Sequence, residues 1–192
     1  LRKVHGLAAA RRLHFVAVHA VEPHAVRRGA VGLGVRQRRG VANVVPFLAA
    51  RGAGMAAALF AALQGAKVLL IERTSHVGGT TAWSAGTTWI PGSHHAASVN
   101  PDDTLAEAAR YLDNAVGERS PPALRQAFLN QGAKAVAWIE EKTQVKFRPY
   151  PKHPDYISDL GGSTLNGRAL EPLPFDARVL GELAQLVRPP IP

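Results

Sequence analysis

Residues 67–91 read K-V-L-L-I-E-R-T-S-H-V-G-G-T-T-A-W-S-A-G-T-T-W-I-P, and the fold is decided here. The first five residues, a lysine and then four apolar residues, are a short β-rich run, which predicts a buried strand. Glu72 stands at its tip, and a loop rich in glycine and hydroxyl groups follows. A parallel strand that ends in a carboxylate suits a ribose diol, because an ionised Glu only accepts hydrogen bonds and a diol offers two donors.

Upstream, residues 53–64 (A-G-M-A-A-A-L-F-A-A-L-Q) are small and apolar nearly all round, as expected of a helix packed tightly on a sheet. Gly65 supplies the stop, since the residue past a helix end commonly needs positive φ. Gly54 then precedes Glu72 by one helix and one strand, near the spacing of about twenty residues that a dinucleotide-binding βαβ unit requires. Each element has a plainer use: a glycine before an Ala-rich helix serves close packing, and a Ser/Thr turn can simply be solvated. Taken in this order they predict an α/β fold, a partial Rossmann-like nucleotide-binding domain.

From Gly54 onward the chain resembles the flavoprotein family that contains 3-ketosteroid Δ1-dehydrogenases and the flavoprotein subunits of fumarate reductase and succinate dehydrogenase. The marks are G-M-A-A-A-L, K-V-L-L-I-E-R, H-V-G-G-T-T-A-W-S-A-G-T-T-W-I-P, F-R-P-Y-P-K-H-P-D-Y and G-R-A-L-E-P-L-P-F-D. Trp-Ser-Ala-Gly followed by Trp-Ile-Pro is closer to the ketosteroid dehydrogenase branch than to fumarate reductase. The resemblance implies FAD as cofactor, held by Gly52, Ala53, Gly54, Glu72, Arg73, Gly78, Gly79, Thr80, Thr81, Ser84, Ala85 and Gly86. Glycines let backbone N–H groups approach phosphate, and Thr80, Thr81 and Ser84 can donate to it or to the flavin edge. It further implies dehydrogenation of a C–C bond next to a ketone in a 3-ketosteroid or related small molecule, with fumarate reductase-like chemistry as the alternative. Tyr156, in H-P-D-Y, is the positional match for a catalytic tyrosine that polarises the ketone. A loop tyrosine packed on prolines explains the same residue without chemistry.

The remainder reads as folded chain with little chemistry. Asn100-Pro101-Asp102-Asp103 predicts a helix start, with a capping side chain, Pro at the first position and acids at the positive end of the dipole. Leu105, Ala108, Ala109, Leu112 and Val116 would mark one face of that helix. Ser120-Pro121 predicts a second start, leading to Leu124, Phe128 and Leu129, and Gly132 is expected to separate it from a third helix through Val136 and Ile139. Residues 145–147 suggest a strand, and 149–162 a loop by Pro and Gly content. Arg168 suits a structural ion pair, with a cofactor- or substrate-binding cation as the alternative. No metal site is expected, because His94-His95 lacks a third partner at useful spacing.

The first fifty residues differ in kind. Through Arg51 there are ten Lys and Arg against one acid, Glu22, a difference equal to the whole formal net charge of +9. The segment is expected to be irregular, with an FAD-binding portion over 51–192. Phosphate contacts through such an arm are conceivable. Ser, Thr and Asp are absent from it, however, and no basic helical face forms, so nucleic acid is not the expected partner. Its apolar stretches are too interrupted for a signal or membrane helix. Its Arg, Ala, Gly, Val and His bias resembles out-of-frame translation of GC-rich DNA. Zero cysteines exclude disulfides and Fe–S ligation within the chain and fit a cytoplasmic protein.

Counting back from Gly54, the nucleotide fingerprint should place glycines at 49 and 51, where the chain has Ala49 and Arg51. Gly52-Ala53-Gly54 with Ala57 offers a substitute at shifted spacing to Glu72. Pro46 also removes a ladder donor from residues 41–48, the candidate first strand. These departures, and the length the family requires, lead to the expectation of a truncated FAD-binding fragment that turns nothing over alone, with a non-catalytic gene fragment as the alternative.

Overall fold

The computed structural model describes residues 17–20, 44–48, 52–72 and 74–191. Two compact units form, one from residues 1–84 with 177–192 and one from 85–176.

In the first unit three parallel strands, β1 (Ala17–Ala20), β2 (Val44–Leu48) and β3 (Lys67–Glu72), lie in the order β1-β3-β2. Helix α1 (Gly52–Leu63) crosses from β2 to β3. The basic segment, expected to be irregular, thus contributes two short strands. Pro46 is accommodated because, among the described strands, β2 lies at the sheet's edge, where a missing ladder donor is tolerated. Helix α1 stops as its sequence dictates, with Gly65 at φ +88°. The core joins Ala58 of α1 to Val68 and Leu70 of β3, with Met55, Ala61, Ala62 and Val77 packed around them. Side chains alternate across a strand with period two, so Val68, Leu70 and Glu72 share the face that α1 covers.

The second unit pairs three antiparallel strands, β4 (Thr88–Trp89), β5 (Phe147–Pro149) and β6 (Ala169–Pro172), with β6 in the centre. Two helices, α2 (Leu105–Val116) and α3 (Pro122–Lys142), accompany the sheet. Ile90, Val136 and the fully buried Leu170 form its core, flanked by Ala133 and Phe147. None of the helices is long and apolar enough to cross a membrane among the described residues.

Several boundaries differ from those read in the sequence. Helix α2 starts at Leu105 and is capped by Thr104, whose hydroxyl accepts from Glu107 N at 3.2 Å. The start read at 100–103 fails because those side chains serve tertiary contacts: Asn100 donates to Thr164 Oγ1 and to the Asn166 carbonyl, and Asp103 binds Arg168. The buried face of α2 is Ala108 and Tyr111, while Leu105 stays exposed. Helix α3 runs unbroken through Gly132. An added Cβ there would make ordinary contact with Ile90 at 3.7 Å, and one interior glycine, at a helix penalty of roughly 1 kcal/mol, does not break a helix of this length. The strand expected at 145–147 begins at Phe147, since Val145 N is held in the preceding turn by Thr143 Oγ1 at 3.0 Å. Thr104→Ala is expected to cost about 1 kcal/mol through loss of the cap, measured as a lower urea midpoint with unchanged slope.

Candidate functional site

Each predicted cofactor residue has a definite place. Gly52, Ala53 and Gly54 form the first turn of α1. The Gly-Ala-Gly offered as a substitute fingerprint is therefore helical, and the turn ahead of it falls on 49–51, which, like Arg73, lies outside the described residues. Glu72 closes β3. Leu48 pairs with Ile71, so the carboxyl ends of β2 and β3 are level, and α1 begins at that same edge. Exposed N–H groups in the first turn of a helix attract anions.

Glu72 is buried, and its Oε1 accepts from Thr74 N at 2.9 Å and Thr74 Oγ1 at 3.1 Å. The His76 carbonyl, 2.7 Å from the Thr74 hydroxyl, competes with Glu72 for its single proton. After this turn Gly78 takes φ +109°, with Gly79 also at positive φ. A Cβ on Gly78 would stand 2.8 Å from that of Ala82, so the loop needs glycine for both conformation and space. A tight helical turn over Gly79–Trp83 follows, and Thr81 Oγ1 reaches back to accept from Gly52 N at 3.1 Å. The loop thereby touches the amino end of α1. Thr80 and Ser84 are exposed.

The sequence reading missed what holds this loop. Val77 pairs with Val187 in an isolated parallel bridge, and Trp83 Nε1 donates to the Pro189 carbonyl at 2.8 Å. The Arg188 guanidinium lies 5.4 Å from the Trp83 ring centre and donates through Nη2 to Thr74 Oγ1 at 3.0 Å. Its buried Nε has no acceptor among the described residues. An Arg-Pro-Pro sequence gives no sign of a partner more than a hundred residues upstream.

Ala85, Gly86 and Tyr156 belong to the second unit. Tyr156 is 90% exposed, yet both of its neighbours are anchored. Ile157 N donates to Tyr111 Oη at 3.2 Å, and Asp155 is buried with its Oδ1 accepting from Trp89 Nε1 at 2.5 Å. Asp155 Oδ2 accepts from Arg168 Nη1 at 2.8 Å and from Thr164 N at 3.1 Å. Asp103 grips the other edge of Arg168 through two bonds, Nε–Oδ2 at 2.8 Å and Nη2–Oδ1 at 2.6 Å. Arg168 is thus a structural ion-pair residue, only 1% exposed, and its guanidinium lies about 6 Å from the Trp89 and Tyr111 ring centres, within cation–π range. Burial alone would lower its pKa, but the hydrogen bonds and charges of Asp103 and Asp155 outweigh this and raise it.

The expectation that His94-His95 lacks a third partner is corrected by Glu140. Its Oε2 lies 2.8 Å from His94 Nε2 and 3.1 Å from His95 Nε2. Only the fold brings α3 to this turn, 45 residues away in sequence for His95, so no local spacing signals it. Burial would raise the Glu140 pKa, but the Phe147 N–H and the two histidines win and lower it.

The carboxylate at the strand end, the helix amino terminus beside it and the glycine loop define the class, an α/β cofactor-binding domain. The chain belongs to the FAD binding domain family, which matches residues 52–188. Over 155 residues it is 39% identical to 4-oxocyclohex-2-ene-1-carboxylate 5-dehydrogenase of Sinomonas cyclohexanicum, covering 81% of this chain and 26% of that protein. It is 35% identical over 138 residues to 3-oxosteroid 1-dehydrogenase of Mycolicibacterium smegmatis, covering 72% and 24%. The fold aligns with the crystal structure of 3-ketosteroid delta1-dehydrogenase from Sterolibacterium denitrificans in complex with 1,4-androstadiene-3,17-dione, at TM-score 0.71 and 30% identity over 76% of this chain and 26% of that one. The resemblance to ketosteroid dehydrogenase flavoproteins is thereby borne out, and FAD is the family's cofactor. The chain spans about a quarter of the length of these relatives.

Proposed function

We propose that this chain is the adenosine-facing part of a Rossmann-like FAD domain in a dehydrogenase that desaturates a ring carbon–carbon bond beside a ketone. The observation that carries the reading is the meeting of three groups at one edge of the parallel sheet: the Glu72 carboxylate, the first turn of α1 and the Thr81 hydroxyl on Gly52 N. These residues fit the cofactor. Glu72 would accept from the ribose diol, the N–H groups of Ala53 and Gly54 would face the pyrophosphate, and the 78–81 loop would cover it. The buried Arg188 Nε, lacking an acceptor among the described residues, adds a positive donor to the same unit.

When bound, FAD supplies the hydride acceptor for such a dehydrogenation. Tyr156 would donate a hydrogen bond to the substrate ketone. Its support is exposure on a loop whose two flanking residues are hydrogen-bonded, which fixes the backbone that presents it. The named relatives share a ring oxo group and a dehydrogenation, so the substrate proposed is a cyclic ketone, either a 3-ketosteroid or a monocyclic oxo-acid. A fumarate reductase-like activity has no comparable support.

Titrating the purified chain with FAD and following flavin fluorescence tests the reading. Saturable binding is expected, weakened about 10- to 100-fold in Glu72→Ala, the equivalent of losing one hydrogen-bonded charge worth about 1.5–3 kcal/mol. Binding equal in both proteins would remove Glu72 from the site. No dye reduction with a 3-ketosteroid is expected from this chain alone, because the relatives' activity belongs to much longer chains; turnover would overturn that part.

A further inference from the structure

The cluster of His94, His95 and Glu140 shares no residue with the proposed FAD site, and the proposed reaction does not use it. We propose that these three side chains form a binding site for a divalent transition-metal ion, with Zn²⁺ the ion that two imidazoles and a carboxylate suit best. The donor atoms all lie within 4.8 Å of one another. Ligands at about 2.0–2.1 Å around tetrahedral zinc stand about 3.3 Å apart, while the two observed nitrogen–oxygen separations are 2.8 and 3.1 Å. The two nitrogen–oxygen pairs therefore open by a few tenths of an ångström to admit an ion, while the two donor nitrogens, within 4.8 Å of one another, come to the same separation. Both Nε2 atoms converge on one carboxylate oxygen, and the rings sit with centres 4.0 Å apart. In the metal-free form each ring must turn an N–H toward that oxygen. The other neutral tautomer turns two lone pairs inward instead, and a single cation replaces both protons.

The surroundings hold the ligands in place. Glu140 Oε1 accepts from Phe147 N at 2.8 Å, which orients the carboxylate. The His95 carbonyl accepts from Ser98 Oγ at 2.7 Å, fixing the turn that carries both rings. Lys146 is the nearby competing cation, but its ammonium binds the Glu140 backbone carbonyl and not the carboxylate. The His94 side chain is 50% exposed, which leaves an entry path and a fourth position for water. A bound ion would tie this turn to α3.

The test uses the full chain and Co²⁺ as a spectroscopic probe, with Zn²⁺ as competitor. One Co²⁺ per chain is expected, giving visible bands of a tetrahedral site that Zn²⁺ abolishes, together with a thermal midpoint that rises with added Zn²⁺. His94→Ala, altering a half-exposed side chain, should weaken binding at least about tenfold, and the double variant His94→Ala/His95→Ala should lose the saturable phase and the thermal shift. The chain has eight histidines, so whatever survives in the double variant is background from the others. Coincident titrations of the wild type and a double variant that keeps its circular dichroism spectrum would overturn the proposal. The readout is metal alone, so its failure leaves the FAD reading standing.

Discussion

Replacing Arg168 by leucine lowers the unfolding free energy by about 3–5 kcal/mol, the usual result of removing one partner from a buried ionic cluster. Against a total of roughly 5–15 kcal/mol for a folded domain, such a loss is enough to deplete the folded protein. The reason is what stays behind. Asp103 and Asp155, with side chains 5% and 2% exposed, are left buried without the cation that pairs them, while the Gly162 carbonyl loses its donor. Urea unfolding followed by tryptophan fluorescence reads the effect, with Trp89 itself bonded to Asp155. Arg168→Lys restores the charge but not the flat fork that meets Asp103 with two bonds, and is expected to fall between leucine and wild type. A leucine variant within 1 kcal/mol of wild type would show that the cluster is solvated in solution. Because the folded pKa of Arg168 is raised, its contribution is fully present below the ordinary arginine value and is lost only as pH rises through the folded one. Neutral buffers therefore all report the same stabilisation.

This cluster also shows which parts of the molecule could be read from sequence. Helix α1, Gly65, β3 and Glu72 were legible because each depends on neighbours within about twenty residues: apolar period, a positive-φ stop and a β-rich run ending in an acid. The family followed from the same stretch. The start of α2 was misplaced although its signal was present, since Thr104-Leu105-Ala106-Glu107 has the spacing of a capping box. Asn100 as cap, with Asp102 and Asp103 at the positive end of the dipole, makes the stronger local signal, and nothing local reveals that Asp103 is claimed by an arginine 65 residues later. Glu140 and Arg188 were missed for the same reason, their partners being set by tertiary contact. The proline-bearing strand β2 was doubted on a sound rule whose answer depends on whether the strand lies at an edge, a property of the sheet and not of the segment.

Gly162→Ala is expected to destabilise by roughly 2–5 kcal/mol, combining about 1–2 for a left-handed backbone with about 1–3 for overpacking. The glycine sits at φ +87°, and an added Cβ would lie 2.5 Å from both Glu107 O and Tyr111 N. Those atoms belong to the backbone of α2, so the helix cannot yield as a flexible side chain would. The loop must move instead, and its carbonyl moves with it, away from Arg168 Nη1, to which it is bonded at 2.8 Å. Gly65→Ala isolates the first contribution, because Gly65 also has positive φ, at +88°, but nothing lies within 4 Å of its added Cβ; its loss should stay near 1–2 kcal/mol. The link through the carbonyl predicts non-additivity. Once Gly162→Ala has drawn the acceptor away, removing Arg168 takes less from what remains, so the double variant should be more stable than the sum of the single losses implies by about 0.5–3 kcal/mol. Strict additivity would mean that the loop relaxes without disturbing Arg168, and that this hydrogen bond contributes nothing to holding residues 155–168 against α2.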